Sequence, residues 1–309
     1  MRRISANKRC LLFFWRSLSV LLVVLTIDVY FTGIIPPPLK KLYRPISGTK
    51  LPTIQQPLQN PEISQVDAKI RDQTALLESN TQLDKVAIIV PYKNRSKHLL
   101  KFLTHMLPFL RKQRRRYVII IAEQAGNASF NRAKLFNVAV KEIRKSPAGD
   151  RLHGIDCFIL HDVDKVPTSS SAVYTCGQNV RQLVNAFRSG NKTRWWYRSF
   201  LGAATAFTLR HVEQINGASN VFYGWGGEDD ELAIRLRLNK IPVVRSRGNA
   251  GIFEEFDAYH PRDKNPDRRK LLTERNTTST WKHDGIKQTR YNLLSRHDYK
   301  HFIWILALV

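Results

Sequence analysis

Val86-Ala87-Ile88-Ile89-Val90-Pro91 is a continuous apolar run, rich in β-branched residues and closed by a proline. It is too short for a helix and does not alternate, so it predicts a strand buried on both faces. Two further runs have the same character, Tyr117-Val118-Ile119-Ile120-Ile121-Ala122 and Cys157-Phe158-Ile159-Leu160. Between them, His98 to Leu110 has helical spacing, and Asn131 to Ile143 sets Ala133, Phe136, Asn137 and Val140 at three- and four-residue steps. Strand, helix, strand, helix, strand at this spacing predicts an α/β fold with a mostly parallel central sheet and flanking helices. Ligands in such sheets bind at the carboxyl ends of the strands. The terminal Phe302 to Val309 is too short to span a bilayer and reads as a last strand.

Three motifs fall at those strand ends. Pro91-Tyr92-Lys93-Asn94-Arg95 is a proline-held turn with an aromatic face and two cations. That suits a nucleobase and its phosphates, or simply a polar turn. Phe130-Asn131-Arg132-Ala133-Lys134 opens a helix, where free N–H groups and Arg132 favour an anion; Asn131 equally suits the N-cap. His161-Asp162-Val163-Asp164 places two carboxylates at the end of the third strand. One can hold a hard divalent cation, manganese or magnesium, while the other orients a ribose or a water. Farther on, Asp257-Ala258-Tyr259-His260-Pro261-Arg262 gathers an acid, an imidazole and a cation in one loop that could complete a metal site.

The densest cluster is Gly224-Trp225-Gly226-Gly227-Glu228-Asp229-Asp230-Glu231. Consecutive carboxylates repel unless something cationic or hydroxyl-rich meets them. The glycines let the backbone approach a ligand, and the tryptophan offers a flat apolar face with one donor. A sugar ring is complementary to that surface. The other reading is an acidic helix N-terminus ahead of Leu232 to Leu238.

The 309 residues suffice for one large domain or two small ones. A net charge of +25 suits an anionic partner, but the basic residues are dispersed apart from Arg111 to Arg116. No zinc-finger spacing or RNA-binding aromatic signature accompanies them, which argues against nucleic acid. Residues 1–10 are basic and read as a cytosolic tail; residues 11–35 are apolar, long enough to span a bilayer, and read as an uncleaved signal anchor. Residues 36–84, opening on Pro36-Pro37-Pro38, are polar and proline-dotted and read as a stem, with a short helix near Val66 to Leu77. The folded domain then covers 85–309, in the lumen. In an oxidising compartment Cys157 and Cys176 could pair; otherwise they are two free thiols. Asn127, Asn191 and Asn276 head glycosylation sequons. Asn94 heads a fourth, inside the strand-end motif, and is expected to be unmodified.

Together these residues resemble the β-1,4-galactosyltransferase family, Golgi enzymes of the GT-A fold, over most of Val86 to Val309. The motifs are Val90-Pro91-Tyr92-Lys93-Asn94-Arg95, Phe130-Asn131-Arg132-Ala133-Lys134-Leu135, Asp162-Val163-Asp164 and Tyr223-Gly224-Trp225-Gly226-Gly227-Glu228-Asp229-Asp230, with Asp284-Gly285 and Tyr291 beyond them. The resemblance implies a manganese-dependent, inverting transfer of galactose from UDP-galactose to the 4-hydroxyl of a terminal GlcNAc by a type II Golgi membrane protein. It assigns Asp229 as catalytic base, and Glu228, Asp230, Trp225 and Gly226 to the acceptor. Pro91, Tyr92, Lys93, Arg95, Phe130, Arg132, Asp162, Val163, Phe200, Trp225 and Arg262 are assigned to the donor, with Trp225 on a mobile loop. It assigns the metal to Asp164 and His260, with Asp257 where the family often has a methionine, and it implies a Cys157–Cys176 disulfide.

Phe200 stands where the family has a tyrosine that helps choose galactose over N-acetylgalactosamine. That makes N-acetylgalactosamine transfer to GlcNAc one sister reading; galactose transfer to xylose is another, because the acceptor class rests on Glu228 and Asp230. A non-catalytic sugar-binding membrane protein is the more distant alternative.

Overall fold

The computed structural model describes residues 60–73, 85–113, 115–256, 263–277 and 279–309. The expected tail, anchor, most of the stem, and Asp257, His260 and Arg262 lie outside these residues. No helix among the described residues is long and apolar enough to cross a membrane.

The three apolar runs form β1 (Lys85–Tyr92), β2 (Arg116–Gln124) and β3 (Cys157–His161), with β1 pairing in parallel with both others. Helices α2 (Ser96–Arg111) and α3 (Arg132–Lys145) connect them, as the spacing predicts. The C-terminal β12 (Phe302–Leu308) lies parallel beside β2 and is paired on its other edge by antiparallel β11 (Asn292–Asp298). Beyond β3 the direction alternates: β8 (Ala204–Thr208) is antiparallel to β3 and to β5 (Val180–Gln182), which pairs in parallel with β9 (Val243–Arg245). The sheet is thus parallel at its centre but mixed overall, which corrects the mostly parallel expectation. Between β3 and β11 the strands are only three to five residues long, too short to carry a periodic signal.

A second sheet among the described residues runs β4 (Lys165–Pro167), β10 (Ile252–Glu255), β6 (Ala186–Ser189), β7 (Lys192–Trp195).

Alternation along β1 sorts the core. Val86, Ile88 and Val90 face the cluster that includes α2 residues Leu99, Phe102, Leu103 and Met106. Ala87 and Ile89 face the opposite cluster with Leu135, Phe136, Ala139 and Val140 of α3. The segment read as stem departs from that reading in part. Helix α1 (Pro61–Gln73) buries Ile63, Val66 and Ile70 in the α2-side core. Its i, i+3, i+7 stripe is apolar enough to join the domain despite the polar residues around it. Asn60, just before it, donates to Glu123 at 3.0 Å, and Glu123 also accepts from the Trp304 indole at 2.6 Å.

Candidate active site

The turn after β1 is built by its own residues. The Arg95 amide donates to the Tyr92 hydroxyl at 2.9 Å, and Asn94 takes φ +50° to close the turn. The Lys93 ammonium donates to the Ala128 carbonyl at 2.5 Å, tying the turn to the loop after β2. At the start of α3, Asn131 is the N-cap, accepting from the Lys134 amide at 2.9 Å. That leaves Arg132 to face the ends of the strands. Its Nε donates to Asp162 at 2.6 Å, and its Nη1 lies 3.9 Å from Glu228. Burial opposes its charge, but Asp162, Glu228 and Asp229 hold it protonated above arginine's ordinary value.

These elements enclose a cavity of about 370 Å³. Pro91, Lys93, Arg95, Phe130, Arg132, Asp162, Val163 and Trp225, all expected at the donor, line it, as do Asp164, Lys165 and Glu228. Tyr92 does not: its ring is 1% exposed, packed in the core, and it serves the site by holding Arg95.

A second cavity of about 360 Å³ adjoins the first, sharing Arg132, Asp162, Lys165, Trp225 and Glu228. Its acidic edge is the first turn of α4 (Glu228–Leu238). Gly227 caps that helix at φ +98°, where a Cβ would meet the Phe222 ring at 2.9 Å. The helix-terminus reading of the acidic run holds. It is a helix N-terminus, and Glu228, Asp229 and Asp230 face the cavity. Glu231 turns away, bound by Arg235 at 2.7 Å. Burial, then Glu228 and Asp230, pushes the Asp229 carboxyl up to about 8. Burial also raises Glu228, opposed by Arg132. One buried atom of each partner, Arg132 Nη2 and Glu228 Oε2, makes no hydrogen bond. Such groups carry a desolvation penalty that a polar ligand would relieve.

The opposite wall is aromatic. Phe200 stacks on Trp196 at 4.3 Å and 13°, and the Tyr197 hydroxyl donates to Asp230 at 2.8 Å. Phe200, assigned by resemblance to the donor, lines this second cavity. Gly202 separates it from the acids: a Cβ there would lie 2.6 Å from the Phe200 ring and 3.0 Å from Asp229. Trp225, lining both cavities, is 43% exposed. Its amide donates to the Asp263 carbonyl at 2.5 Å and its carbonyl accepts from Asn265 at 3.1 Å. A side chain at Gly224 would sit 2.6 Å from that Asp263 carbonyl, so the close approach needs glycine.

Asp164 is 4% exposed at the first cavity, with Arg95 at 3.1 Å on one oxygen and Lys165 at 2.7 Å on the other. The Phe256 amide donates to the Asp164 backbone carbonyl at 3.0 Å. The described residues contain no group of three or more His, Cys, Asp or Glu able to hold a metal. By their chemistry Asp164, Asp257 and His260, two carboxylates and an imidazole, are a fitting hard-cation donor set.

Cys157 and Cys176 form a disulfide, Cα atoms 5.7 Å apart, that flanks the Asp162–Asp164 turn. Asn127, Asn191 and Asn276 are all exposed.

Sequence reasoning passed over Lys165, Tyr197, Gly202, Arg194 and Glu255. Tyr197 lies in the aromatic run Trp195-Trp196-Tyr197 and Gly202 two residues after Phe200, so both left a local signal. Glu255 and Arg194 reach Lys165 only through the second sheet, which no local pattern announces.

Residues 47–177 match the N-terminal region of glycosyl transferase group 7, and residues 182–260 match the N-terminal domain of galactosyltransferase. β-1,4-Galactosyltransferase 4 of Rattus norvegicus is 39% identical over 217 residues, covering 69% of this chain and 60% of that protein. The Homo sapiens protein of that name is 38% identical over the same length. The chain thus spans about 60% of the length of these curated relatives. The catalytic domain of Drosophila β-1,4-galactosyltransferase 7, solved in complex with xylobiose, superposes with a TM-score of 0.61 at 25% identity, covering 74% of this chain and 94% of that one. Matched regions, relatives and fold agree with the strand-end motifs, and the chain belongs to glycosyl transferase group 7, the β-1,4-galactosyltransferase family.

Proposed function

We propose that this protein transfers galactose from UDP-galactose to the 4-hydroxyl of a terminal GlcNAc, forming a β-1,4 linkage. The observation that carries this reading is the position of Asp229. Its carboxyl lies in the second cavity, pushed up to about 8 and flanked by Glu228 and Asp230, beside a first cavity with Lys93, Arg95 and Arg132 on its wall. A base whose pKa lies near the working pH is matched to taking a proton from an alcohol.

Nucleotide diphosphate occupies the first cavity, on those cations. The acceptor sugar occupies the second, its hydroxyls on Glu228 and Asp230 and its apolar face on the aromatic wall. Asp229 removes the proton of the 4-hydroxyl. That oxygen attacks the anomeric carbon from the side opposite UDP, which leaves with the bonding electron pair, so the configuration inverts. Trp225 covers both cavities and excludes water from the sugar being transferred. Asp164, His260 and Asp257 would hold manganese, which when bound would supply positive charge to the leaving diphosphate.

We place the catalytic unit in the Golgi lumen, anchored through residues 11–35 as a type II protein. The Cys157–Cys176 disulfide and the three exposed sequons support an oxidising, glycosylating compartment.

Asp229→Asn removes the base and keeps the shape. Transfer falls by about 10²–10⁴-fold while UDP affinity is unchanged. Loss of UDP binding in this variant would make Asp229 a structural residue instead. Phe200 favours one second reading, since it offers no hydroxyl where the family's sugar-selecting tyrosine stands. A matrix of UDP-galactose and UDP-N-acetylgalactosamine against GlcNAc and xylose β-glycosides decides between them. Galactose on GlcNAc is the expected productive pair.

A further inference from the structure

Lys165 lies next to the Asp162–Asp164 turn yet belongs to the second sheet, where β4 pairs with β10 and sets it opposite Glu255. It borders both cavities. Its ammonium is 2.7 Å from Asp164 Oδ1 and 3.3 Å from Glu255, and it lies 5.1 Å over the Phe187 ring. The residue is 5% exposed, and Glu255 is itself gripped by Arg194 at 3.3 Å. This is a locked cation, not a surface lysine free to swing away. With Arg95 on the other oxygen, both oxygens of Asp164 already face protein cations.

We propose that Lys165 is a resident cation of the donor site: it weakens the hold of Asp164 on a divalent metal and itself binds the nucleotide diphosphate, so nucleotide binding persists without that metal. The inference rests on the donor-site reading given above. Its physical basis is direct. A metal ion coordinated by Asp164 would lie within a few ångströms of the Lys165 ammonium, and like charges at that range repel strongly in a buried site. A diphosphate entering the same cavity meets the ammonium with the opposite sign, and a charge-assisted hydrogen bond is the stronger kind. The competing view makes Lys165 a cross-strand ion-pair partner of Glu255, holding β4 to β10 and nothing more.

The test uses the full chain and two titrations. UDP is titrated calorimetrically in EDTA and again with manganese. Manganese alone is titrated by the electron paramagnetic resonance signal of the free ion. UDP affinity of the unaltered chain in EDTA is expected to lie within about 30-fold of its affinity with manganese, and a larger loss overturns the proposal. Lys165→Met is expected to lower metal-free UDP affinity about tenfold or more and to raise manganese affinity by a similar factor. Lys165→Arg, which keeps the charge, is expected to retain metal-free UDP binding. A Lys165→Met variant that folds and matches the parent in both titrations leaves the lysine a strand-pairing residue and overturns the proposal. If the unaltered chain binds UDP under neither condition, the donor-site reading itself fails. Binding with manganese only defeats the lysine proposal and spares that reading.

Discussion

At the scale of the residue, Asp229 is set by its neighbours. Burial and the charges of Glu228 and Asp230 both disfavour its ionised form, which takes it up to about 8. The proposed base works only when ionised. The kcat/KM of the free enzyme is therefore expected to rise with pH through a limb near 8. Asp230→Asn deletes one of the charges opposing ionisation, so the limb moves to lower pH whatever happens to acceptor affinity. A limb that stays in place would mean burial and Glu228 alone set it. The four acids were legible in the sequence, but their division of labour was not. Glu231 is spent on Arg235, and only the handedness and start of α4 decide which three carboxylates reach the cavity. Gly227 fixes that start, in a conformation that strains any side chain.

At the scale of the element, the reach of periodicity is plain. β1, β2 and β3 announced themselves because each is apolar on both faces, and α2 and α3 because each buries a stripe. Helix α1 has mean polarity typical of a linker, and only Ile63, Val66 and Ile70 betray it. Those side chains are 0%, 4% and 0% exposed, so they are core residues in energetic terms. Ile70→Ala is expected to cost about 2–5 kcal/mol and to lower Tm by roughly 5 °C or more, read by thermal unfolding. A change within error would show that α1 is only laid against the domain. The strands of the second sheet stayed hidden for another reason. Each is 3 or 4 residues long, and β4, β6, β7 and β10 are gathered from positions 165 to 255. Such pairings are tertiary facts with no local period.

At the scale of the whole molecule, the two cavities have a common wall. Arg132, Asp162, Lys165, Trp225 and Glu228 belong to both, so neither cavity can be filled without touching the boundary of the other. That makes the two ligands thermodynamic partners. Whatever factor UDP imposes on the affinity for a GlcNAc glycoside, the glycoside must impose on the affinity for UDP. The closed cycle of four dissociation constants, measured with Asp229→Asn to prevent turnover, is expected to show a coupling of about 5- to 150-fold in favour of joint binding. Trp225→Ala removes the residue that lines both sides and brings that factor toward one. Independent binding would mean the wall is rigid. With the predicted coupling, a single chain could register in one cavity whether the other is full, and Trp225, flanked by Gly224 and Gly226 at positive φ, would carry the message.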